Sequence, residues 1–255
     1  HGLWRCLQAV DLDKDGDMDL IVGNIGLNNR YNTSPDRPMM LYAKDMDNNG
    51  VEELIPAYYI KDGSGDYQLY PALDRNQLAQ EIPAVKKKYL LHKDFSTVTM
   101  AQLKDDFDPT DGWTELKCET SASVWLENLG GGKFSVHELP LQAQFAPVNS
   151  IVAEDVDGDG IKDLIIAGNE YQAEAGIGRY DASYGLVMRG DGKGGFTPMP
   201  VAGSGLMLDG DIRDMKVLRM GGMGRKRTED LGEHAGSRLL LVTPNDDKLK
   251  AFYIR

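Results

Sequence analysis

Asp155-Val156-Asp157-Gly158-Asp159-Gly160-Ile161-Lys162-Asp163 is the stretch on which the reading of this chain turns. Two others follow its template: Asp11-Leu12-Asp13-Lys14-Asp15-Gly16-Asp17-Met18-Asp19 and Asp45-Met46-Asp47-Asn48-Asn49-Gly50-Val51-Glu52-Glu53. Each puts a side-chain oxygen at positions 1, 3, 5 and 9 and Gly at position 6. A hard cation such as Ca²⁺ takes six to eight oxygens at about 2.3–2.6 Å. Alternate residues of a tight loop aim their carboxylates at one centre, and position 7 adds its backbone carbonyl. Position 6 must turn sharply, often at positive φ, where Gly has no Cβ to clash. Without a cation, four or five carboxylates within a few ångströms repel one another. Asp-Gly is also a common turn dipeptide, so one such loop alone reads equally well as an acidic turn. Three copies read as metal sites.

The flanks separate these loops from the helix-flanked kind. An EF-hand needs a bidentate Glu at position 12, where this chain has Val22, Pro56 and Ile166. After the first loop comes Leu20-Ile21-Val22-Gly23-Asn24 and after the third Leu164-Ile165-Ile166-Ala167-Gly168-Asn169. Short apolar runs rich in β-branched residues and stopped by Gly-Asn predict buried strand and then turn. The unit is strand, cation loop, strand.

Further out, Val124–Asn128 and Phe134–Leu139 flank Leu129-Gly130-Gly131-Gly132-Lys133, and Gly185–Arg189 precedes Gly190-Asp191-Gly192-Lys193-Gly194-Gly195-Phe196. Both read as hairpins with Gly-rich turns. A cation-loop hairpin followed by a Gly-Lys-Phe hairpin makes a four-stranded unit, complete over 146–200. Repeated sheets of that size predict an all-β chain, a β-propeller or the C-terminal part of one.

The stretches Asp11–Asn24, Ile25–Tyr31, Leu41–Glu53, Asp155–Asn169, Gly178–Asp181 and Gly190–Phe196 resemble the FG-GAP/VCBS repeat proteins, whose propeller blades carry Ca²⁺ loops as in the integrin α-subunit head. The likeness is greatest to bacterial secreted members. Val22-Gly23-Asn24 and Ala167-Gly168-Asn169 stand where that family has its Gly-Ala-Pro, which argues against integrin-type ligand binding. The resemblance implies two to three Ca²⁺ ions. Their ligands would be Asp11, Asp13, Asp15, Asp17 (carbonyl) and Asp19; Asp45, Asp47, Asn49, Val51 (carbonyl) and Glu53; and Asp155, Asp157, Asp159, Ile161 (carbonyl) and Asp163.

The whole chain, 1–255, reads as one propeller region with blades at about 6–60, 61–140, 146–202 and 209–255. The last has three strands and no cation loop, although Asp209, Asp211 and Asp214 cluster at its start. Residues 75–106 predict a helical insertion over one propeller face. Leu78, Ile82, Val85 and Tyr89 share a helical face, Pro83 breaks it, Thr99 and Gln102 have the spacing of a capping box, and Lys86, Lys87 and Lys88 are its solvated side.

The 255 residues carry 28 Lys plus Arg against 40 Asp plus Glu, a net charge of −12, which argues against nucleic acid as a partner. No apolar run approaches the ~20 residues of a membrane span. Cys6 and Cys118 leave a bridge and the redox compartment open. His1, His92, His137 and His234 fall in no zinc or nucleophile motif, and there is no Gly-x-Ser-x-Gly or phosphate loop. The loop from Tyr171 to Gly185 offers Tyr171, Arg179, Tyr180, Asp181 and Tyr184, types that stack on and hydrogen-bond a sugar or peptide; the competing reading is packing, with Arg179–Asp181 as a local pair. Loop 221–236, with Arg225-Lys226-Arg227, reads as an exposed excursion. The expectation is a calcium-stabilised extracellular or cell-surface module, secreted or on a bacterial outer membrane. It would bind protein or glycan without catalysis, or join further blades of a longer chain. The alternative is a polysaccharide lyase or glycoside hydrolase on a propeller scaffold.

Overall fold

The computed structural model describes residues 1–46, 49–110, 112–173, 178–219 and 238–254. These are mostly β, in four antiparallel sheets of three or four strands. The chain divides into two compact units: His1–Leu3 with Asn29–Ser121, and Trp4–Asn28 with Ala122–Arg255.

Strands β1 (Cys6–Val10) and β2 (Asp19–Gly23) form the first loop's hairpin and belong to the larger unit. Next in sequence comes the smaller unit. Its β3 (Met39–Lys44), β4 (Glu53–Lys61) and β5 (Tyr67–Pro71) run as a meander. Four short helices follow: α1 (Arg75–Glu81), α2 (Ala84–Lys88), α3 (His92–Phe95) and α4 (Met100–Phe107). Strand β6 (Thr114–Cys118) then returns to pair with β3, giving the order β5-β4-β3-β6. As the spacing predicts, Leu78, Ile82, Val85 and Tyr89 are all buried, and they pack on Tyr42, Ile55 and Ala57 of this sheet. Pro83 falls between α1 and α2, Thr99 and Gln102 close a capping box on α4, and the three lysines are exposed. The helices therefore cover the sheet of their own unit.

The larger unit resumes with β7 (Val124–Asn128) and β8 (Phe134–Glu138), which complete a sheet ordered β1-β2-β7-β8. After a 3-10 turn (Leu141–Gln144) comes a second sheet: β9 (Val148–Glu154), β10 (Asp163–Gly168), β11 (Leu186–Gly190) and β12 (Phe196–Pro198). After the single helical turn α5 (Val201–Ser204) comes a three-stranded sheet of β13 (Ile212–Arg219), β14 (Arg238–Pro244) and β15 (Lys250–Ile254).

The three sheets of this unit pack face to face because successive strand residues point to opposite faces. Ile21 and Trp125 of the first sheet bury against Leu164, Ile166 and Met188 of the second. The alternate residues Ile165, Ala167 and Val187 bury against Met215, Leu240 and Val242 of the third. Each fully buried aliphatic side chain is worth about 1.5–3 kcal/mol relative to exposure. Both interfaces are therefore substantial.

The pairing corrects the expected segments 6–60 and 61–140. Ile21 lies opposite Trp125 and Val22 opposite Val124, so the first sheet draws its halves from 6–23 and 124–138, with the smaller unit inserted in sequence between them. Segments 146–202 and 209–255 each contain one sheet. The Gly-Asn stops fall where predicted: β2 ends at Gly23 and β10 at Gly168. Loop 221–236 lies outside the described residues.

Candidate metal centres

All three acidic loops close the same hairpin. The residue before position 1 pairs with position 9: Val10 with Asp19, Lys44 with Glu53, Glu154 with Asp163. Within the loops similar hydrogen bonds recur, position 1 accepting from positions 4 and 6 in the first and third loops and from positions 5 and 6 in the second. Asp11 accepts the N–H groups of Lys14 at 2.8 Å and Gly16 at 3.2 Å; Asp155 accepts those of Gly158 at 2.7 Å and Gly160 at 2.9 Å; Asp45 accepts those of Asn49 at 3.0 Å and Gly50 at 2.8 Å. Position 5 accepts the N–H of position 7: Asp17 to Asp15, Ile161 to Asp159 and Val51 to Asn49. Position 6 has positive φ in every copy, +97° at Gly16, +87° at Gly50 and +83° at Gly160, which is why it is glycine.

Asp11, Asp13 and Asp15 each bring a carboxylate oxygen within 4.8 Å of the others, and so do Asp155, Asp157 and Asp159. Such an all-oxygen donor set suits a hard cation. Asp17 and Ile161 occupy position 7, where the resemblance puts a carbonyl ligand. In the second loop Asp45, Asn49, Val51 and Glu53 hold positions 1, 5, 7 and 9, while Asp47 lies outside the described residues.

Position 9 also ties its loop into the sheet. Asp19, Glu53 and Asp163 are buried, and none belongs to the gathered triads. Each accepts the N–H of position 2: Leu12 at 3.0 Å, Met46 at 2.8 Å and Val156 at 2.9 Å. The other oxygen of Asp19 accepts the N–H of Asn128 on β7, and that of Asp163 the N–H of Gly190 on β11, both at 2.9 Å. These carboxylates clasp the loop to the third strand of its sheet.

The first and third loops differ electrostatically. Burial raises the Asp13 carboxyl above its ordinary range, and the charges of Asp15, Asp19 and Asp11 add to this. Burial also pushes the Asp155 carboxyl up, but the N–H groups of Gly160 and Gly158 and the Arg238 charge outweigh it, so it sits below its ordinary range. Arg189 of β11 lies 2.7 Å from the Asp157 carboxylate. At the same place on β7 stands Glu127, which bonds His137 at 2.9 Å.

The candidate ligand residues are only partly brought together. Arg179 lies over the Tyr171 ring, 4.7 Å from its centre. Tyr180 pairs through its backbone with Glu170. Asp181 and Tyr184 are exposed, and no Arg179–Asp181 ion pair occurs among the described residues. Residues 174–177 of this loop lie outside the described set.

Sequence reasoning missed a network beside this loop. Glu170 accepts from Arg5 at 2.7 Å and Arg213 at 3.1 Å, and Arg213 also bonds buried Asp211 at 2.7 Å. Burial pushes the Glu170 carboxyl up, but Arg213 and Arg5 outweigh it and hold it below its ordinary range. The network ties β1 to the end of β10 and the start of β13. Its residues are too far apart in sequence for any spacing to signal it. The acidic cluster Asp209, Asp211 and Asp214 separates in the structure: Asp211 pairs with Arg213, while Asp214 accepts from Ser150 at 3.2 Å.

No family model, no curated protein and no solved structure matches this chain.

Proposed function

We propose that this chain is a calcium-stabilised binding module of β-propeller type that works outside the cytoplasm and holds a protein or glycan ligand. The observation that carries the reading is the threefold recurrence of one loop geometry on one hairpin register, with position 1 gathering two N–H groups and position 5 a third. A solvated acidic turn has no reason to repeat such detail at three sites. The ions would be held by the carboxylates of Asp11, Asp13 and Asp15 and of Asp155, Asp157 and Asp159, with Asp45 and Asn49 in the second loop. The carbonyls of Asp17, Ile161 and Val51 complete the sets.

The propeller reading draws support from equivalent sheets. β1, β2, β7 and β8 correspond in order and hairpin register to β9, β10, β11 and β12. Leu20, Val22, Val124 and Leu126 of the first sheet stand where Leu164, Ile166, Leu186 and Met188 stand in the second. Weak extracellular-type calcium sites, with dissociation constants of about 0.1–1 mM, are empty at cytosolic calcium levels, which favours an external location. The Arg179–Tyr171 stack is the best-formed part of a ligand surface.

Calcium titration of chelator-treated protein, followed by calorimetry and thermal melting together, tests the reading. Two or three binding events with a rising melting temperature are expected. No heat and an unchanged melt would reduce the loops to acidic turns and remove the basis for the proposal.

A further inference from the structure

The two sheet interfaces of the larger unit are built alike but filled differently. In the first, the Trp125 indole reaches across to the turn at Gly194. A Cβ added there would lie 2.2 Å from an indole carbon. In the second, the place of Trp125 is taken by Val187, since Trp125 is opposite Ile21 and Val187 opposite the matching Ile165. Val187 is far smaller than an indole, and beside it lies a cavity of about 460 Å³. Leu206, Leu240 and Phe252, with Ile165, Met199 and Ile254, line its apolar floor. That volume is within the range of small-molecule sites, about 300–1,000 Å³.

The rim has one cation, Arg189, and one anion, Asp157, paired at 2.7 Å. Asp157 also belongs to the triad with Asp155 and Asp159. A divalent cation in that loop would draw the Asp157 carboxylate to itself and offset the local negative charge. The Arg189 guanidinium would then be left at the mouth of an apolar slot without its partner.

We infer that this crevice binds a small planar aromatic molecule carrying one carboxylate, the ring lying where the first interface has its indole and the carboxylate meeting Arg189. We infer also that a divalent cation in loop 155–163 strengthens this binding, and this second half rests on the calcium reading above. An uncharged ring would bind more weakly and would not respond to the cation.

The probe is indole-3-propionate, with indole as the uncharged control, titrated by calorimetry and by methyl NMR with and without calcium. Shifts are expected at the Val187, Leu206 and Leu240 methyl groups. Calcium should tighten indole-3-propionate roughly fivefold, the scale of a freed, partly exposed ion-pair partner. Arg189→Gln should remove both the calcium response and the preference over indole. Val187→Trp copies the first interface and should abolish binding while leaving the melting temperature at or above that of the natural chain. Shifts that avoid these methyl groups, or undiminished binding by folded Val187→Trp, would overturn the site. Calcium heat with unchanged probe affinity would overturn the coupling and leave the calcium reading intact. Absence of any calcium heat would overturn both.

Discussion

The Asp19 carboxylate accepts the backbone N–H of Asn128 at 2.9 Å across 109 positions of sequence. It is 1% exposed, and its second oxygen takes the N–H of Leu12. Removing it strands two N–H groups, at about 1–3 kcal/mol for each buried group left unsatisfied. Asp19→Ala is therefore expected to cost about 2–4 kcal/mol in urea unfolding in chelator, from the lost hydrogen bonds alone. Asp15→Ala, at an exposed position, should cost less than about 0.5 kcal/mol in chelator and show its effect only when calcium is added.

Calcium itself should act by mass action. With a dissociation constant of about 0.1 mM and about 2 mM free calcium, each site would stabilise the fold by roughly 1.8 kcal/mol. Chelation is expected to lower the melting temperature by several degrees per site lost. Asp13→Asn and Asp157→Asn should each remove one binding event from the calorimetric trace and leave the other loop's event in place.

Gly23 is where the second sheet begins to approach the first. A Cβ added to it would meet the Val148 carbonyl oxygen and the Cys6 sulfur, both at 2.5 Å. The carbonyl is backbone and cannot swing aside, so Gly23→Ala should destabilise by about 1–3 kcal/mol. The midpoint of urea unfolding measures this, and Gly63→Ala, where a Cβ meets nothing within 4 Å, is the control.

In the smaller unit, Lys44 lies 2.7 Å from Asp108, and Thr110 bonds the same carboxylate through its hydroxyl and its N–H. Lys44 first, then Thr110, holds the Asp108 carboxyl down at about 2 against an ordinary 3.8. A depressed carboxyl gives stability that is present above pH 3.8 and lost as the pH falls through about 2. Carboxyl NMR should place the Asp108 midpoint near 2, and Lys44→Met should bring it back up.

The two cysteines are free thiols, and the structure contains no bridge between them. Burial pushes the Cys6 thiol up to about 11, while the Cys6 sulfur donates to the Val148 carbonyl at 3.3 Å. Burial also raises the Cys118 thiol. A thiol reagent at pH 8 should modify neither at an appreciable rate in the folded protein, and both once urea unfolds it.

Much of the local structure was legible in the sequence because its causes are local. Asp-x-Asp-x-Asp-Gly gave the loops, the β-branched runs beside them gave β2 and β10, and Leu78, Ile82, Val85 and Tyr89 gave a helical face broken at Pro83. Each rests on side-chain periodicity or turn stereochemistry within a dozen residues. The gathering of carboxylates at positions 1, 3 and 5 of the first and third loops was legible in the same way. The hydrogen bonds of position 9 were not legible, because their acceptor's partner, the N–H of Asn128 or Gly190, lies on another strand and leaves no mark on the loop's own spacing.

The amino-acid sequence by itself determined the elements of this protein: strand, acidic loop, strand, and the amphipathic helices. Only the tertiary structure decided which elements join. β2 pairs with β7 across an inserted unit, and Arg5 reaches Glu170 and Arg189 reaches Asp157 from separate segments of the chain. Secondary structure follows from torsional preference and periodic hydrophobicity, which any short window contains. Strand partnership follows from burying both faces of each sheet at once, which depends on the whole chain.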